Sequence, residues 1–117
     1  MKIFETHAHL DDEAFDSDRN LLIEEMLGEN GNIDCIINVG ASRRGCEASI
    51  RLSEEYDRIY AAIGFHPEEI YSLKKSDYQW LQERAAAMKR IVAIGEIGLE
   101  YHYLKDNAFE WLKANRN

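Results

Sequence analysis

Apolar and polar positions alternate along the chain in blocks whose period switches between two and about 3.6. Lys2-Ile3-Phe4-Glu5-Thr6 predicts a short strand. Ser17 to Met26 predicts a helix, with Leu21, Leu22, Met26 and Leu27 apolar at helical spacing. Asp16 or Ser17 is its expected cap, and Gly28 and Gly31 its stop. Cys35-Ile36-Ile37-Asn38-Val39 is β-branched and nearly all apolar, the pattern of a strand buried on both faces. Ser42 opens a second helix reaching about Tyr56, with Ala48, Leu52 and Tyr56 on one side. Ile59-Tyr60-Ala61-Ala62-Ile63 predicts a third strand, broken after Gly64-Phe65-His66 by Pro67. Ser76-Asp77-Tyr78-Gln79 has the form of a capping box and starts a third helix carrying Trp80, Leu81, Ala85 and Met88. Ile91-Val92-Ala93-Ile94 predicts a fourth strand that runs into Gly95-Glu96. Leu104 to Asn117 has room for a helix of about two turns, close to the limit for a helix without packing.

Strand, helix, strand, helix, strand, helix, strand implies an α/β fold of parallel βα units with right-handed crossovers. The expectation is one domain over residues 1–117.

Composition narrows the function classes. With 45% hydrophobic and 31% charged residues and one proline, the chain is neither disordered nor low in complexity. It carries no apolar run of the length a membrane span needs, and its first residues do not read as a signal peptide. Lys plus Arg is 14 and Asp plus Glu is 22, a net charge of −8. Such a chain has no basic footprint for binding nucleic acid by charge alone. A metal-assisted enzyme on phosphodiesters stays open, because bound divalent ions reverse the local charge. Cys35 and Cys46 are read as reduced core or helix residues of a cytoplasmic protein.

The candidate chemistry sits where strands end. In extended chain, His7 and His9 project to one face, where two imidazoles can share a metal ion. The same pair also arises by chance in many proteins. Glu96, between Gly95 and Ile97-Gly98, is placed to ligate metal or act as a base, or is a solvated loop acid. His66 is either a loop histidine set by the turn or a polar group beside a substrate phosphate or the metal. Glu100 reads as a solvated loop residue and His102 as ordinary surface. Asp11 and Asp12 precede the first helix, with a smaller chance of supporting the histidines. Jointly the picture is sharper. His7, His9, His66 and Glu96 follow strands one, three and four, and in a parallel sheet those ends share the carboxyl edge, where ligands bind.

Phe4-Glu5-Thr6-His7-Ala8-His9-Leu10-Asp11 resembles the opening of the TatD family of metal-dependent hydrolases, the TatD-related deoxyribonucleases. Asn38-Val39-Gly40, Ala61 to Pro67, and Ala93 to Tyr101 resemble its next three blocks, in order. The resemblance implies the N-terminal half of a TIM barrel of the amidohydrolase type, with one or two divalent ions (Mg, Mn or Zn) at the strand ends. By position it implies metal ligation by His7, His9 and Glu96, and a place for His66 near the substrate phosphate. The implied reaction is hydrolysis of DNA phosphodiesters by metal-activated water. Two departures stand out. Glu5 and Glu100 replace the family's usual aspartates. The family's later histidines and aspartate, which complete the metal shell and supply the general base, have no counterpart here, so no catalytic base is assigned.

Four strands are half the eight of a complete barrel. A half barrel has two unpaired edges and a bare inner face, which favours assembly with a second copy. The alternatives are therefore a TatD-like nuclease, a catalytically inactive half barrel that self-associates, and an unrelated open α/β module binding a small ligand. The last is weakened by the absence of a glycine-rich phosphate loop after the first strand.

Overall fold

A computed structural model describes residues 1–99. The expected helix between Leu104 and Asn117, together with Glu100 and His102, lies outside the described residues. Four strands, β1 (Ile3–Ala8), β2 (Ile33–Val39), β3 (Ile59–Ile63) and β4 (Ile91–Ile94), pair in the order β1-β2-β3-β4. Every neighbouring pair is parallel. Helices α1 (Arg19–Leu27), α2 (Arg43–Glu55) and α3 (Lys75–Ala87) form the three crossovers. The sheet of βα units expected from the apolar blocks is therefore present. β3 and β4 have the expected bounds.

Four elements differ from expectation in their bounds, β2 among them, which starts at Ile33 rather than Cys35. β1 runs to Ala8, so His7 lies inside the strand and only His9 follows it. α1 starts at Arg19, behind a short 3₁₀ turn at Glu13–Phe15. Neither Asp16 nor Ser17 caps it; Asp18 holds the cap position without a side-chain bond. The side chain that does cap is that of Asp12, which accepts from the Ala14 N–H and holds the 3₁₀ turn. α3 starts at Lys75, and Asp77 replaces the expected Ser76–Gln79 pair. Its carboxylate accepts from the Lys74 N–H at 2.9 Å and from Arg43 Nη1 at 3.0 Å. An aspartate at the third helical position satisfies a free backbone donor and meets the positive end of the helix dipole.

α2 has the expected span, but of Ala48, Leu52 and Tyr56 only Leu52 is buried. Ser42 caps it by accepting from the Gly45 N–H at 3.0 Å. Its inward face carries Cys46, Ser49, Ile50, Leu52 and Ser53. Ser53 spends its hydroxyl proton on the Ile50 carbonyl within the helix.

The core forms two groups. Leu10, Ile23, Leu27, Ile36, Leu52 and Ile59 pack between α1, α2 and the sheet. Cys46, Ile50, Ile63 and Phe65 pack under α3, with Trp80, Leu81, Ala85 and Met88 against them. Full burial of each large aliphatic side chain contributes about 1.5–3 kcal/mol. Of the apolar positions expected to face inward on α1, Leu27 is buried but Leu21 is 60% exposed. Ile23 takes the inward place instead.

The central strands are buried most deeply. The edge strands are not: Ile3 and Phe4 on β1, and Val92 and Ile94 on β4, are exposed. β2 is also less uniform than its composition suggests. Asp34 is exposed, Cys35 is half-buried, and the most enclosed position is the polar Asn38. At the opposite end of the sheet, Arg90 ties α2 to β3 by donating from Nη2 to the Tyr56, Asp57 and Ile59 carbonyls. Among the described residues, no helix is long and apolar enough to cross a membrane.

Candidate metal centre

The sequence-predicted site residues meet at the carboxyl edge of the sheet. β1 delivers His7 and His9 to one face because side chains two apart in extended chain point the same way. Their rings stand 5.0 Å apart at an interplanar angle of 81°. Glu96 follows β4 and reaches across. Its Oε2 lies 3.8 Å from His7 Nε2 and 4.0 Å from His9 Nε2. Its Oε1 lies 3.8 Å from His66 Nε2. One ligand atom from each of His7, His9 and Glu96 falls within 4.8 Å of the others.

These separations are too long for hydrogen bonds. They suit groups arranged around an ion. Two ligands about 2.1 Å from one metal stand roughly 3–3.5 Å apart, so the three groups would draw together around an ion from their present spacing. The side chains of His7, His9 and Glu96 are 53%, 46% and 35% exposed, so the centre opens to solvent.

The hydrogen bonds of the two better-enclosed imidazoles assign different roles. His9 Nδ1 lies 2.9 Å from the Val39 carbonyl oxygen. A carbonyl only accepts, so Nδ1 carries the proton and Nε2 turns a bare lone pair toward Glu96. A ligating histidine needs this tautomer. His66 is the reverse case. Its Nδ1 accepts from the Glu68 N–H at 3.2 Å, capping the Pro67–Glu69 turn. The proton of a neutral ring is then on Nε2, the atom facing Glu96. His66 is thus set to donate a hydrogen bond toward Glu96, while His7, His9 and Glu96 form the group that could hold a metal ion.

The backbone holds the strand ends at close quarters. The His66 N–H donates to the Ala41 carbonyl at 2.8 Å, and the Gly95 N–H to the Ile63 carbonyl at 3.0 Å. Gly64 gives Glu96 its path: a Cβ there would lie 2.6 Å from the Gly95 carbonyl carbon and 2.7 Å from the Glu96 oxygen. Gly40 does the same for α2, since its Cβ would stand 2.5 Å from the Cys46 Cα. Cys46 itself is structural. Its Sγ lies 3.1 Å from the Gly64 carbonyl, and burial pushes the thiol up to about 11.

Two supporting residues lay in sequence blocks already noted but carried no signal of their own role. Gly64 has no side chain to mark its role in the sequence. Asn38 is a lone amide in an apolar strand, the pattern of a buried hydrogen-bonding post. Glu5, on the ligand face of β1, folds back to accept from the His7 N–H at 2.9 Å. A cavity of about 570 Å³ lies on the helical side between the β1–α1 segment and α2. Asp11, Arg19, Arg44 and Arg51 line it, and none of the four site residues does.

The TatD-related DNase family profile matches residues 4–114. The chain belongs to this family. Its fold resembles the crystal structure of YjjV, a TatD homologue from Escherichia coli, with a TM-score of 0.79 at 26% identity over 96% of the chain. It is 41% identical over 103 residues to YabD of Bacillus subtilis, an uncharacterized metal-dependent hydrolase, covering 88% of this chain. A second uncharacterized metal-dependent hydrolase, from Methanocaldococcus jannaschii, is 31% identical over 121 residues, covering 94% of this chain. The TatD chain spans 39% and 41% of the length of these two relatives and 42% of the YjjV chain. Its four-stranded parallel sheet is a partial α/β fold corresponding to the N-terminal part of the TatD TIM barrel.

Proposed function

We propose that the chain holds a divalent-metal site for phosphodiester hydrolysis, with DNA as the substrate. The observation that carries this reading is the convergence of His7, His9 and Glu96 with one ligand atom each within 4.8 Å. Two imidazoles and a carboxylate accommodate Mn, Zn or, less strongly, Mg. When bound, a divalent ion acidifies water and neutralises phosphate oxygens. The chain's own residues hold that charge in place. His9 presents Nε2 because Val39 fixes its other nitrogen. Glu96 adds negative charge between the imidazoles. His66 directs its Nε2 proton into the same opening, where it donates to a phosphate oxygen.

The net charge of −8 makes this role depend on metal, since nothing in the composition attracts a polyanion unaided. The test is cleavage of DNA by the purified chain with Mg, Mn or Zn in turn. Metal-dependent cleavage that is lost in His7→Ala and Glu96→Ala is the expected result. No cleavage with any of these metals overturns the reading for this chain.

A second reading concerns the partner. Ile3, Phe4, Val92 and Ile94 are exposed on the two edge strands, and both edges are unpaired among the described residues. Two copies joined β4 to β1 around a common axis would make eight parallel strands and bring two His-His-Glu clusters to one mouth. In this reading the chain assembles with itself.

A further inference from the structure

We infer that Asn38 is a positioning residue for the metal centre, acting through the chain segment that carries His9. The inference rests on the metal-site reading above and concerns a residue outside the ligand set. Asn38 is fully buried near the carboxyl end of β2. Its Oδ1 accepts from the Leu10 N–H at 2.6 Å. Its Nδ2 donates to Asp11 Oδ1 at 2.9 Å and to Ser49 Oγ at 2.8 Å. The orientation of the amide is forced, because a backbone N–H must face oxygen and a carboxylate must face the NH₂ group.

Asn38 therefore grips the two residues that directly follow His9. The next residue on β2, Val39, accepts the His9 Nδ1 proton. His9, Leu10 and Asp11 are thus held by two successive positions of one strand. The grip is needed because the regular β1–β2 ladder gives way here: the pairing shifts register between Glu5 and Ala8, and β1 ends at Ala8. Beyond that point the Asn38 side chain takes the Leu10 N–H and the Asp11 carboxylate, while Arg19 on α1 donates to the Leu10, Asp11 and Asp12 carbonyls from the other side. Ser49, wholly buried on α2, anchors the other side of the amide. Loss of the grip would free His9 to rotate away from Val39 and lose the tautomer that leaves Nε2 bare.

The decisive variant is Asn38→Asp, which has the same shape. It can still accept from Leu10, but it sets a second carboxylate against that of Asp11. Outer partners of metal ligands typically change affinity roughly 10–100-fold. Zinc(II) titrated calorimetrically into the 117-residue chain should bind with affinity lower by that factor in Asn38→Asp. Ser49→Ala, a milder change, should give a smaller loss. A long-range ¹H–¹⁵N spectrum of the metal-free protein at mildly alkaline pH should show the His9 ring proton on Nδ1 in the parent chain and divided between the nitrogens in Asn38→Asp. If Asn38→Asp folds and binds zinc as the parent does, or if Ser49→Ala is unaltered in both affinity and His9 signal where Asn38→Asp does not fold, the inference is overturned. If the parent chain binds no zinc, the underlying metal-site reading fails instead, and the His9 spectrum then decides the positioning role alone.

Discussion

Gly64 and Glu96 come so close that a single added carbon has no place between them: a Cβ on Gly64 would stand 2.7 Å from the Glu96 carbonyl oxygen. The neighbours are backbone atoms, which cannot rotate aside as a side-chain tip can. β3 thereby sets where the residue after β4 is allowed to run, and so where the carboxylate arrives. Gly64→Ala should push the Gly95–Glu96 segment outward and separate Glu96 from the imidazoles. Forced overpacking costs about 1–3 kcal/mol, so the melting temperature should fall. Metal affinity should fall as well. A melt and a zinc titration of the same sample check both, and a variant unchanged in affinity would mean that the segment yields without moving the carboxylate.

Glu96 faces three imidazoles at 3.8–4.0 Å, and its side chain is 35% exposed. Glu96→Gln keeps the shape and removes the charge. Metal affinity should drop by ~100-fold or more, beyond the loss typical of an outer partner. The metal-free chain should keep its stability within about 0.5 kcal/mol, because surface changes away from packing seldom matter more. Binding by the parent should also weaken as acid is added, because imidazoles ligate only when neutral and the ion competes with protons. Calorimetry at several pH values should show proton release on binding.

Asp77 carries a pH signature away from the site. The Lys74 N–H holds its carboxyl below the usual carboxylate range, and the Arg43 guanidinium adds to this. A carboxyl whose folded-state value is depressed stabilises the fold at pH above its unfolded value. That contribution fades as pH falls through the folded value. Asp77→Asn should therefore melt lower than the parent at neutral pH, and the two melting curves should converge in acid below the carboxylate range. Parallel thermal melts across pH check this. A gap that stays constant into acid would show that charge is not what Asp77 contributes.

What the sequence disclosed and what it withheld follow from range. β3 and β4 were legible because a short β-branched or alanine-rich run bounded by glycine or a turn has one local reading. α2 was legible because Ser42 caps it in sequence as in space. The starts of α1 and α3 were not, since Asp18 and Lys74 rather than Ser17 and Ser76 hold the cap positions, through backbone geometry that propensity does not encode. His7, His9, His66 and Glu96 could be placed on one edge from strand order alone. Their division of labour could not. The His9 bond to Val39 spans 30 positions and the Asn38 bond to Leu10 spans 28, so neither tautomer nor grip appears in any local window.

The exposed edges give the last expectation. Ile3 and Phe4 are 47% and 52% exposed on one edge strand, and Val92 and Ile94 are 48% and 50% exposed on the other. Unpaired edges with apolar side chains are templates for strand addition unless charge or a bulge blocks them. β4 carries neither charge nor proline between Ile91 and Ile94. If β4 of one copy pairs with β1 of another, light scattering at micromolar concentration should give a mass of at least twice the 13.6 kDa of the chain. Ile94→Lys should shift that population toward monomer, because pairing would then require burying an unpaired ammonium. Its β4 partner strand β3 is buried and unaffected, so circular dichroism should stay close to that of the parent. A monodisperse monomer in the parent chain would eliminate assembly through these edges, and leave His7, His9 and Glu96 to act within a single copy.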